Sequence, residues 1–225
     1  MKIIDIIEYD ISNYKEASMF IITSTCSFKC DKENGTKLCQ NGHLAKSEKI
    51  ELDDDIIVKK YLNNPMTTAI VFGGLEPLDQ FDELILLIAK FRKETSDTIV
   101  IYTGYNEDEV PEYINKLAAF KNIIVKFGRF IPNQEKHFDE VLGIELASNN
   151  QYAKVLKKMK VRIVDNKEIV EKIDAGLAKN KEKYGEAYCP CRLKHIPENI
   201  CMCKEFRDQL TPGPCHCGKF EKYYE

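Results

Sequence analysis

Long hydrophobic runs are missing from this chain. The longest, "LILLIA" at 84–89, falls far short of the ~20 residues a membrane-spanning helix needs. The opening stretch "MKIIDIIEYDIS" carries Asp5, Glu8 and Asp10 where a secretion signal would hold an apolar core, so no signal is read there. Charge of one sign is not in excess either: 33 Lys and Arg face 36 Asp and Glu, for a net charge of −3. That balance points away from a nucleic-acid-binding surface. Cysteine is absent between Cys39 and Cys189, and no repeat is evident beyond paired cysteines near the end. These absences leave a soluble protein of the cytoplasm as the expectation, with neither nucleic acid nor membrane among its partners.

What is present is enough for one sizeable core and a small second domain: 225 residues, 44% hydrophobic. Residues 2–9 and 18–23 are rich in Ile and read as strands, and 68–72, 97–104 and 122–128 are short apolar runs bounded by Gly, Asn or Asp that read as buried strands. In "DQFDELILLIAKFRKE" (79–94), Phe81, Leu84, Ile85, Ile88 and Phe91 recur at helical spacing, with Asp79 as expected N-cap. A second helix is expected over 107–120. Strands alternating with helices predict an α/β fold with a parallel sheet. The character changes near residue 165. An amphipathic helix over 166–185 ends at Gly185, and a cysteine-rich tail follows. The expected domains are 1–164 and 165–225.

Nine cysteines fall into two groups, which in a reducing compartment suggests metal binding or catalysis rather than a disulfide framework. Cys26, Cys30 and Cys39 follow the strand at 18–23. Three thiolates on one loop can hold three irons of a [4Fe–4S] cluster and leave the fourth open. A zinc site completed by His43 is the alternative. "VFGGLEPLDQ" (71–80) ends a predicted strand and opens a helix. Its glycines allow close backbone approach to a ligand, and Glu76 can accept hydrogen bonds from an ammonium group.

Together, the cysteine triad and "GGLEP" resemble the radical S-adenosylmethionine (SAM) enzymes. "IYTGY" (101–105), "FGRFIPN" (127–133) and "GIELASNNQ" (143–151) narrow the likeness to the activating enzymes of anaerobic (class III) ribonucleotide reductase, over roughly residues 15–160. The resemblance implies a partial (β/α) barrel with its site at the carboxyl ends of the strands. Cys26, Cys30 and Cys39 would be cluster ligands, and Gly73, Gly74, Glu76, Ser148 and Asn149 would bind SAM. The implied activity is glycyl-radical formation on an anaerobic ribonucleotide reductase-like partner. Two departures stand out: eight residues, "DKENGTKL", separate Cys30 from Cys39 where the family has two, and Leu75 interrupts the glycine motif.

The tail holds three Cys-x-Cys pairs, Cys189/Cys191, Cys201/Cys203 and Cys215/Cys217. In an extended segment such a pair presents both sulfurs to one side. Six sulfurs exceed one cluster, so four ligands plus a redox pair is the favoured division, with two thiolate-bridged zinc sites or a three-disulfide staple as alternatives. "CPCR", "CMC" and "CHCG", preceded by "DAGLAKNKEKYGEAY" (174–188), resemble the catalytic chain of ferredoxin–thioredoxin reductase and its relatives. Met202 replaces a proline of that pattern. The resemblance implies a small, mainly helical domain binding [4Fe–4S] through Cys189, Cys201, Cys203 and Cys215. Cys191 and Cys217 would form the active disulfide, with His216 as proton donor or thiolate-stabilising charge.

The combined expectation is an iron–sulfur oxidoreductase with two [4Fe–4S] clusters and SAM, joining radical generation to disulfide reduction. Ferredoxin or flavodoxin would donate electrons, and a thioredoxin- or glutaredoxin-like protein could be the disulfide target. The alternatives are a ferredoxin-dependent protein-disulfide reductase whose N-terminal domain binds a cluster without cleaving SAM, and a zinc-stabilised adaptor.

Overall fold

The computed structural model describes residues 1–224, which form two compact units, Met1–Leu156 and the residues from Lys157 onward. The first contains β1 (Lys2–Asp10), β2 (Ser18–Thr23), α1 (Lys29–Asn34), β3 (Ile50–Glu51), α2 (Asp54–Leu62), β4 (Ala69–Gly74), α3 (Phe81–Glu94), β5 (Thr98–Tyr102), α4 (Pro111–Leu117), β6 (Ile123–Phe127), β7 (His137–Asp139), β8 (Ile144–Leu146) and β9 (Tyr152–Val155). Seven strands make one mixed sheet in the order β3-β1-β2-β4-β5-β6-β9. Its centre, β2-β4-β5-β6, is parallel, while β1 and β9 run antiparallel to their neighbours.

The parallel strands read as continuous apolar runs because both faces are covered. Ile70, Phe72, Ile99, Ile101 and Val125 pack on Ile57 and Tyr61 of α2, Leu84, Ile88 and Phe91 of α3, and Leu117 of α4. Full burial of each such side chain contributes ~1.5–3 kcal/mol. On the other face, Val71, Val100 and Ile124 meet Tyr14, Leu142 and Leu146 instead of a helix. That second face has room for a site.

Several sequence expectations shift locally. The helix expected over 107–120 is a 3-10 turn at Glu107–Glu109, then α4 from Pro111, whose missing N–H suits a first helical position. Asp79 does not cap α3. Its carboxylate accepts from Ser27 N (2.5 Å) and the Tyr105 hydroxyl (2.6 Å), while Glu76 caps the 3-10 turn at Pro77–Gln80. "DKENGTKL" is not all loop: it begins inside α1, which Gly35 ends at φ 66°.

The second unit holds β10 (Met159–Ile163), α5 (Lys167–Tyr184), α6 (Lys204–Asp208), β11 (Gly213–Pro214) and β12 (Phe220–Tyr224). It is mainly helical and adds a three-stranded sheet, β10-β12-β11. The ladder from Met159↔Tyr224 to Ile163↔Phe220 ties β10 to the second unit. The boundary therefore lies between Leu156 and Lys157 and not after 164. α5 matches its expected limits, with the Asn166 side chain accepting from Ile169 N (3.1 Å) and Gly185 closing it at φ 84°. Among the described residues no helix is long and apolar enough to cross a membrane.

Candidate functional site

The carboxyl ends of β2, β4, β5 and β6 converge on a cavity of about 450 Å³ in the first unit. In parallel sheets the carboxyl ends are where ligands bind. Cys26, Cys30 and Cys39 line it, with Gly74 and Glu76 from the turn after β4 and Lys126 from β6.

Glu76 is almost fully buried. Its carboxylate accepts from Gly104 N (2.8 Å) and Leu78 N (3.1 Å), so it staples two loops together. Burial pushes its pKa up to about 7 despite these donors. Lys126 is also buried, donates to Gly128 O (2.9 Å), and is held down to about 8 by the same desolvation, with the Glu76 charge opposing. Gly74 stands at φ 87°, and a Cβ there would meet Ile22 Cγ2 at 2.5 Å. Only glycine fits this turn, which lets its carbonyl accept from Asn41 Nδ2 at 2.7 Å. Arg129, which also lines the cavity, grips Glu109 with two 2.7 Å bonds. This fork holds the Glu109 carboxyl down to about 2.

The three thiols differ in setting. Cys26 Sγ accepts from Phe28 N (3.2 Å), and burial raises its pKa to about 12, with Glu76 and Asp79 adding to the rise. Cys30 is raised by burial and by Cys39, whose sulfur is its hydrogen-bond partner. Asp31 accepts from Cys39 N (2.8 Å), folding the insertion back on itself. Exposed His43 turns to Gln40 O (3.2 Å), not to the sulfurs.

Gly74 and Glu76 are placed at the cavity as the sequence suggested. Gly73 abuts Phe20 instead, where a Cβ would meet the ring at 2.9 Å. Ser148 and Asn149 do not line the cavity; Ser148 is buried and accepts from Ile131 N (3.4 Å), and Asn149 is exposed. Their neighbours Ala147 and Gln151 line it instead. Sequence reasoning missed Lys126 and Arg129. The one usable signal was a lysine inside the otherwise apolar "NIIVKFG".

In the second unit, Cys189, Cys201, Cys203, Cys215 and Cys217, with His216, surround a void of only about 10 Å³. Cys189 and Cys201 are brought together by an antiparallel bridge, Tyr188↔Ile200. Gly176 of α5 lets the helix approach Pro190, against which a Cβ would stand at 2.8 Å. Cys215 and Cys217 sit on the turn between β11 and β12, their sulfurs 3.4 Å apart. Burial raises Cys189, Cys201 and Cys217, the last to about 12. Cys189 Sγ also accepts from Cys191 N–H and bonds the Cys217 thiol. Cys191 is the exposed thiol of the group, and it does not line the void. All nine cysteines are free, so no Cys191–Cys217 disulfide is present.

Among the described residues, no group of three or more His, Cys, Asp or Glu is arranged to hold a metal ion. This corrects the expectation of two [4Fe–4S] clusters, and with them SAM on an open iron. The physical reasons are local. The C-terminal sulfurs leave a space no bigger than one water, with two of them in contact. Cys30 and Cys39 bond each other, and Cys26 bonds a main-chain amide.

The families that the chain matches describe a two-part protein: an iron–sulfur-associated α/β domain joined to a ferredoxin–thioredoxin-reductase-like module, both of classes tied to redox chemistry. The family described as 4Fe-4S single cluster domain matches residues 16–153, more than half of the chain, and the chain belongs to that family. The family described as ferredoxin thioredoxin reductase catalytic beta chain matches residues 145–223. No curated protein and no solved structure matches the chain.

Proposed function

We propose that this protein is a thiol–disulfide oxidoreductase that reduces disulfides of a partner protein. One observation carries the reading: an exposed thiol, Cys191, lies two residues from Cys189, one of five more sulfurs (three buried, two half-buried) gathered around one void within the region similar to the reductase chain. The Cys191 thiolate attacks one sulfur of the target disulfide. That bond breaks, a mixed disulfide forms, and one target thiolate leaves. Cys217 then attacks the Cys191 sulfur, the second target thiolate departs, and a Cys191–Cys217 disulfide remains. Two electrons pass to the target, and two protons follow to its thiols. His216, on the turn between Cys215 and Cys217, supplies a proton to a leaving thiolate. Two one-electron deliveries from ferredoxin or flavodoxin, with two protons from solvent, restore the two thiols, and a thioredoxin- or glutaredoxin-like protein is the target; similarity to the ferredoxin thioredoxin reductase catalytic beta chain family supports both choices.

The test is trapping. In Cys217→Ser the second step has no thiol, so incubation of the reduced protein with oxidised thioredoxin should accumulate a mixed disulfide on Cys191, read by peptide mass spectrometry. A mixed disulfide on another cysteine, or none, rejects the assignment.

Activation of a glycyl-radical partner by a radical-SAM barrel is the second reading. Its support is the resemblance around "VFGGLEPLDQ" and the cavity at the strand ends. It requires a donor set that the described thiols do not form, so disulfide reduction is the better supported function.

A further inference from the structure

Next to Cys191 the chain does something unusual for a surface loop. Leu193 is 100% exposed, and Ile196 and Tyr184 are each 41% exposed. Single exposed apolar side chains are ordinary, but here Leu193 and Ile196 follow the exposed Cys191 within five residues, and the His195 ring between them stacks on Tyr184, so all three belong to one stretch of surface. The loop under them is held firmly. Arg192 N donates to Cys189 O (3.1 Å), Asn199 Nδ2 to Lys194 O (2.8 Å) and Asn199 N to Ile196 O (2.9 Å). The His195 ring stacks on Tyr184 at 3.9 Å and meets Tyr188 edge-on at 5.2 Å. A leucine presented on a rigid loop needs no ordering when a partner covers it.

The charge here departs from that of the chain. Between residues 179 and 196, four lysines (Lys179, Lys181, Lys183 and Lys194) accompany two carboxylates, and Arg192 is paired with Glu205, whereas the whole chain is net negative. Lys183 Nζ lies over the Tyr184 ring, 4.9 Å from its centre, so cation and aromatic face are contiguous. We infer that the patch formed by Leu193, Ile196 and Tyr184, ringed by Lys183 and Lys194, is the docking surface for the disulfide-bearing target protein. The occupant it fits is an acidic protein whose disulfide is flanked by apolar surface. The target is favoured over the electron donor because its sulfur must touch Cys191, two residues from Leu193, whereas electrons can cross a gap.

This inference rests on the disulfide-reductase reading, and its test separates the two. The full chain is reduced with dithiothreitol, desalted and mixed in single turnovers with oxidised thioredoxin or with hydroxyethyl disulfide, a probe too small to use the patch. Leu193→Asp should slow thioredoxin reduction about tenfold and leave the small disulfide unchanged, and Leu193→Met should restore the rate. Lys194→Glu should also slow thioredoxin and flatten the salt dependence of its rate. If wild type reduces neither disulfide, the reductase reading fails. If wild type reduces both and Leu193→Asp matches it, or loses both rates equally, the docking surface fails alone. Slower electron uptake from reduced ferredoxin in Leu193→Asp, with the thioredoxin rate intact, would assign the patch to the donor and overturn the inference.

Discussion

Cys26, Cys30 and Cys39 line a cavity of about 450 Å³ that they share with buried charges, Glu76 and Lys126. Five of the six C-terminal cysteines close on about 10 Å³ between Phe206, Met202 and Phe220. The first arrangement has space for a small molecule and polar groups to orient it. The second has space for nothing but sulfur meeting sulfur, with one thiol, Cys191, left exposed outside it. The same residue type therefore stands in two different settings in one chain, decided by what the backbone leaves open around it.

Replacing a thiol in each group puts this contrast to its hardest test. Cys191→Ser should lower single-turnover reduction of oxidised thioredoxin by at least about a hundredfold, the scale of losing a nucleophile. Cys30→Ser should leave that rate within about twofold. Equal losses in the two variants would erase the division of labour.

The buried charges of the first unit should show in its stability. The Glu76 carboxyl has a folded pKa of about 7, above its ordinary 4.5. The neutral form is thus the one the fold favours, and its contribution is full below about 4.5 and lost as pH rises through about 7. The loss is roughly 3 kcal/mol at most. Urea unfolding of the first unit should weaken between pH 5 and pH 8, and Glu76→Gln should flatten that trend. An equal decline in the variant would assign it to other groups.

Gly74→Ala should cost about 1–3 kcal/mol, since it forces a side chain into a left-handed turn against Ile22. Thermal unfolding followed by circular dichroism reads the effect, and a neutral result would mean the turn relaxes. The smallest change belongs to the second unit. Asn166→Ala removes the α5 cap and should cost about 1 kcal/mol, lowering the amide-exchange protection of α5 while β4 and β5 keep theirs.

Much of this was legible before any coordinates. β2, β4, β5 and β6 announced themselves because strands covered on both faces are continuously apolar, and α3 and α5 because one face repeats at helical spacing. β10, "MKVRI", and β12, "FEKYY", did not, being half-exposed and rich in charge, and the domain boundary was misplaced with them. The cysteines and "GGLEP" marked both regions, since only those residue types do that chemistry or fit that turn. Lys126 stayed hidden as one polar residue in an apolar strand. Which thiols touch was also hidden, because sulfur spacing in sequence says nothing of the bridge that joins Tyr188 to Ile200.

The ladder between β10 and β12 has a consequence in time. Met159–Ile163 leave the ribosome some sixty residues before Phe220–Tyr224, which supply their hydrogen bonds. Cys189, Cys201 and Cys203 are all synthesised before that ladder can close. Until Tyr224 has been added, these thiols lack the finished wall that Cys215, Cys217 and Phe220 provide. For these three sulfurs the period of greatest exposure to oxidants therefore falls during synthesis itself, and a chain that stalls there leaves them unshielded.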